Sequence, residues 1–205
     1  MPSINSDVVI LARTKMSGDK ICVGAYDIAN NRAVRLLDER ANAYTAIAPF
    51  KVGEIYNITY AERYDIVLPH SEDVAVYKYT LNSSNNALFI GTQQLLRINL
   101  NNLCELFGGK LTWTNNSGHL LKGNTTDYSV TIATLNCDLI KNNGYFVQNI
   151  DHCPYKVKYV GCEPIQNLPD IIRAGTRIRF SLARWWDNNG TWEPHRSYLQ
   201  LSGVY

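Results

Sequence analysis

The chain has 205 residues, of which 45% are hydrophobic and 19% charged, and its formal net charge is +2. That composition excludes a disordered polar chain and a histone-like charge, so a polyanion would have to be held by a local patch. Five cysteines, an odd number without a Cys-x-x-Cys pair, argue against a disulfide framework.

The opening "MPSINSDVVILARTK" lacks a basic segment leading into a long apolar stretch, and no run of about 18 apolar residues occurs anywhere. A cytoplasmic protein without membrane contact is expected. "DVVILART" at 7–14 and "KICVGAYDI" at 20–28 read as strands joined by the turn "KMSGD". Asn30-Asn31 turns the chain into a third strand, "AVRLLD". "VGEIYNITYAERYDIV" follows from Val52 to Val67 and ends at Pro69-His70. Four or five strands in about 70 residues predict a small barrel.

The pattern then changes. In "TQQLLRINLNNLCELFGG", Leu96, Leu100, Leu103 and Phe107 recur at helical spacing, with Thr92 as N-cap and Gly108-Gly109 as the stop. A helix packed on the β-structure is predicted. Strand signals resume in "YSVTIATLNCDLI", the turn "KNNG", "YFVQNI" and "YKVKYVGC". The predicted organisation is therefore mainly β: a barrel over 1–80, a connecting segment with one α-helix over 81–109, and a second barrel over 110–205.

The final hairpin is "RIRFSLARWWDNNGTWEPHRSYLQLSGVY". Alternation turns Ile178, Phe180 and Leu182 to one face and Arg177, Arg179 and Ser181 to the other, which places the arginines on the solvent side. The return strand adds Tyr198 and Gln200, and Trp185, Trp186 and Trp192 cluster at the turn with Arg184 and Arg196. A nucleic-acid backbone needs cations along its track, and unpaired bases need flat rings to stack on. Arginine serves both needs. The competing reading is structural: exposed arginines keep a strand soluble, and aromatics pack at barrel ends. In "YKVKYVG", Lys156 and Lys158 face away from Tyr155 and Tyr159, which separates rings from cations.

Signatures of catalysis are lacking. No phosphate loop, dinucleotide fingerprint or nucleophile elbow occurs. His70, His119, His152 and His195 are scattered. His152 beside Cys153 is a weak Cys-His candidate, and Cys137, His152, Cys153 and Cys162 are a loose zinc candidate without the usual paired spacing. The expectation is a non-enzyme without cofactor or metal.

The segments "VVILARTKMSGDKICVGAYDIANNRAVRLLD", "FKVGEIYNITY" and "HRSYLQLSGVY" resemble the bacterial dual-OB-domain proteins. Ala33 and Val204 stand where that pattern carries tryptophan. The resemblance covers both ends of the chain and is loose through residues 70–150. It implies two small OB-like β-barrels and a nucleic-acid or adaptor role, often in mobile-element or anti-virus settings. The expected partner is single-stranded DNA or RNA, held by Arg177, Arg179, Arg184, Trp185, Trp186, Arg196 and Tyr198, with Arg13, Lys15 and Arg35 from the first half. A protein-interaction adaptor without nucleic-acid binding is the alternative.

Overall fold

A computed structural model describes residues 2–205 and shows a mainly β chain. Its internal contacts divide it into two units. One comprises the residues through Val67 with Ser71–Leu95, the other Leu68–His70 with Leu96–Tyr205.

The first unit contains β1 (Ile4–Lys15), β2 (Lys20–Asp27), β3 (Arg32–Leu37), β4 (Tyr44–Thr45), β5 (Glu54–Glu62) and β6 (Asp73–Ser84). Five of these close a ring in the order β1-β5-β6-β3-β2-β1, and β4 adds to the edge of β2. Only the β3–β6 closure is parallel. This closed five-stranded barrel is consistent with an OB-like fold. A register shift between Ile10 and Ala12 helps β1 bend enough to pair with both β2 and β5. Val8, Ile10, Val23, Leu36, Phe50, Ile58 and Tyr60 fill the interior.

Asp27, Glu72 and Asp73 are buried in this unit, Asp27 most deeply. Asp27 is fully enclosed, and its carboxylate accepts bonds from the Ser6 hydroxyl at 2.6 Å, the Tyr60 hydroxyl, and the Asn30 backbone and side-chain N–H groups at 3.1 and 2.9 Å. Burial alone would raise its pKa. The hydrogen bonds outweigh burial and hold it below the usual carboxylate value.

The predicted helix is displaced. The α-helix α1 spans Asn86–Leu95 and lies in the first unit, ending where the Leu stripe begins. The stripe itself divides between a strand and a 3-10 stretch, Leu103–Gly109. Asn102 is the break: its extended backbone interrupts any helix, and its side chain accepts from the Cys104 N–H. Leu103, Leu106 and Phe107 still reach the core, so the apolar positions are met by another backbone path.

The second unit contains β7 (Arg97–Leu100), β8 (Thr112–Thr114), β9 (Ser117–Leu121), β10 (Val130–Leu135), β11 (Leu139–Asn142), β12 (Tyr145–Ile150), β13 (Cys153–Tyr159), β14 (Ile171–Ile172), β15 (Ile178–Leu182) and β16 (Arg196–Val204). They form one ten-stranded sheet in the order β14-β11-β12-β13-β9-β16-β15-β10-β7, with β8 on β9. A second closed barrel was expected, but this sheet is not closed. Its ends are the two-residue β14 and the four-residue β7, which do not pair with each other. Its core gathers Leu120, Leu135, Phe146, Val157, Phe180, Leu199 and Leu201.

Candidate nucleic-acid interface

Two tight turns set the register of the candidate site. Asn143-Gly144 joins β11 to β12 and Asp151-His152 joins β12 to β13, each with positive φ at both positions. Such two-residue turns match the twist of the strands they connect. They bring Tyr145 opposite Lys158 and Val147 opposite Lys156. The parallel contact between β13 and β16 then sets Lys158 beside Gln200.

Paired residues share a face of a sheet. Tyr145, Lys156, Lys158, Tyr198 and Gln200 therefore stand together, while Phe146, Val157, Leu199 and Leu201 line the core behind them. The chain leaving β15 adds Arg184 and Trp186. The result is a groove of about 400 Å³ whose lining includes Lys156, Lys158, Arg184, Tyr145, Trp186 and Tyr198, with no carboxylate. The Lys156 ammonium lies 5.4 Å from the Tyr145 ring centre, so cations and rings meet across strands even though they alternate within β13.

The aromatic wall is built at the hairpin end. Trp186 and Arg196 exchange two backbone hydrogen bonds of 2.9 Å, which hold the Trp186 ring 4.9 Å from Trp192 and 6.2 Å from Tyr198. Trp186 remains 45% exposed. The Arg196 guanidinium sits 4.0 Å from the Trp192 ring centre, so its cation is engaged with that ring. Beneath Tyr198 lies the buried His119, with ring centres 5.4 Å apart. Burial and the nearby Arg196 push the His119 pKa down.

Several expected contacts are placed elsewhere. Arg179 is only 5% exposed and donates to the Ser202 hydroxyl at 2.8 Å, so it does not stand on an open face. Every residue of β15 is buried, because both of its faces are covered. The Tyr205 ring contributes by lying over Gly203, the strand partner of Arg179, with its hydroxyl 3.1 Å from where a Cβ would stand. Arg177 is half-buried ahead of β15, outside the groove, and its carbonyl accepts from the Tyr205 N–H at 2.9 Å. Trp185 is half-buried against the core and donates to the Leu68 carbonyl at 2.7 Å, which removes its ring from a stacking role.

In the first unit, Arg35 forms an ion pair with the buried Asp73 and is itself 12% exposed, so it is not presented to a phosphate. Arg13 donates to the Ala46 carbonyl at 2.8 Å, and Lys15 is exposed at the end of β1. The residues brought together from the expected set are thus Arg184, Trp186 and Tyr198, with Arg196 behind them. Tyr145, Lys156, Lys158 and Gln200 complete the groove.

No disulfide links any of the five cysteines. Among the described residues, no group of three or more His, Cys, Asp or Glu side chains is placed to hold a metal ion, and no helix is long and apolar enough to cross a membrane. Compared with family models and with curated proteins, the chain matches none of either.

Proposed function

We propose that this chain is a non-catalytic module that binds single-stranded DNA or RNA in the groove between β12, β13, β16 and the segment after β15. The observation that carries the reading is the concentration of three cations and three rings in a concave lining without a carboxylate. Lys156 and Lys158 are two residues apart on one strand face, about 6.6 Å at the usual rise, which suits successive phosphates of an extended strand. Trp186 and Tyr198 offer faces to unpaired bases, a contact a base-paired duplex cannot make. The closed barrel of the first unit and the resemblance to dual-OB proteins agree with this reading.

The test is fluorescence anisotropy with 15-nucleotide dT and U oligomers against the wild type and a Lys156→Glu, Lys158→Glu double variant. Both lysines lie on the outer sheet face, so the fold survives. The reading expects binding by the wild type and a loss of more than tenfold in the variant. Equal binding by both proteins, or none by either, overturns it.

A further inference from the structure

The first unit carries a second surface with different chemistry. β6 runs well past β3: their pairing ends at Ala75, whereas β6 continues to Ser84. Over residues 76–84 the strand pairs on one side with β5, and no described backbone hydrogen bond occupies its other side. This free edge is also apolar. Tyr77 is 51%, Tyr79 45% and Leu81 53% exposed. Long apolar edges are normally blunted, because unpaired N–H and C=O groups recruit another strand. Here register shifts lie near Tyr77 and Asn82, and residues 78–81 between them pair regularly with β5.

The side-chain directions define what a recruited strand would meet. Tyr79 and Leu81 pair with Ile58 and Tyr56, so they extend the inner face of the barrel beyond its rim. Tyr79 is anchored there, with its ring centre 5.0 Å from that of Phe50. Beside the free edge a pocket of about 380 Å³ is lined by Asp38, Glu39, Arg40, Tyr44, Tyr77 and Tyr79. Its lining holds two carboxylates against one guanidinium. Lys78, paired with Thr59, lies on the outer face. Tyrosine rings beside carboxylates favour a cationic side chain through ring-face attraction and charge.

We infer that residues 76–84 are a docking edge for an extended segment of another protein, which adds a strand to β6 and places a lysine or arginine in the Asp38–Glu39 pocket. Main-chain pairing would supply affinity, and alternate side chains would supply selectivity. An apolar side chain two or four residues from the cation would cover Leu81.

The probe is a fluorescein-labelled octapeptide of alternating valine and threonine with one valine replaced by arginine; its control carries glutamate at that place. Amide hydrogen exchange of the full chain reports pairing at the edge, and anisotropy reports affinity. The arginine peptide at saturation is expected to slow exchange within residues 76–84 by at least tenfold, and to bind at least tenfold tighter than the glutamate peptide. Glu39→Lys, at an exposed turn position, is expected to weaken the arginine peptide at least fivefold. No protection, equal affinity for the two peptides, or no effect of Glu39→Lys overturns the inference. Protection that grows with protein concentration in the absence of peptide also overturns it, since the occupant would then be a second copy of this chain.

Discussion

Arg179→Ala separates a structural arginine from a ligand-binding one. The residue is 5% exposed, and its guanidinium donates to the Ser202 hydroxyl, which in turn donates to the Arg179 carbonyl at 3.1 Å. Hydrogen bonds to charged groups contribute about 1.5–3 kcal/mol, and losing the buried stem adds to that, so a total of about 2–4 kcal/mol is expected. For a chain of this size about 1 kcal/mol moves Tm by about 2–4 °C, which gives a fall of roughly 4–16 °C. The assay is direct, because all four tryptophans, Trp113, Trp185, Trp186 and Trp192, lie in the second unit. Urea unfolding followed by tryptophan fluorescence therefore reports the unit that contains Arg179. The folded variant should bind a 15-nucleotide oligomer within twofold of the wild type. A variant of unchanged stability that had lost binding would refute the assignment of Arg179 to the interior.

Trp186→Ala should weaken oligonucleotide binding by about 1–3 kcal/mol, the worth of one stacked base, and anisotropy at constant salt measures it. Asp27→Asn should destabilise the first unit at pH 7 by about 1.5–3 kcal/mol, since it removes a charged acceptor from a buried network. The folded pKa of Asp27 is lowered, so its contribution is present above the unfolded value near 3.8 and is lost as pH falls further. The gap between wild type and variant should accordingly narrow below pH 4 in urea unfolding followed by far-UV circular dichroism. His119 has a lowered folded pKa, so the unfolded chain takes up its proton first; the second unit should lose stability as pH drops through 6.5, and His119→Gln should flatten that slope in tryptophan-monitored unfolding.

The terminal strand shows where legibility in the sequence ended. Its alternation correctly separates Ile178, Phe180 and Leu182 from Arg177, Arg179 and Ser181. Alternation does not reveal whether the second face meets water or other side chains, and β15 is covered on both. Lys156 and Lys158 were visible as cations, and Tyr155 and Tyr159 as rings on the opposite face. The ring that meets the lysines is Tyr145, delivered by the pairing Tyr145↔Lys158. The Asn143-Gly144 turn was readable, but the partner it would select was not. The Leu96–Phe107 spacing failed for a related reason. Pairing of β7 with β10 and the Asn102 cap outcompeted a helix that the local pattern allowed. In the first unit, the small barrel was legible because short β-branched runs and turn residues follow one another closely. The opposing charge that neutralises Arg35 came from Asp73, far along the chain.

The salt dependence of oligonucleotide binding tests the groove most directly. Three phosphates neutralised by Lys156, Lys158 and Arg184 should give a slope of about −2 in log K against log salt for a single strand. The Lys156→Glu, Lys158→Glu variant should flatten that slope along with the affinity. A wild-type slope near zero, or an unchanged slope in the variant, would contradict the groove as the site of binding.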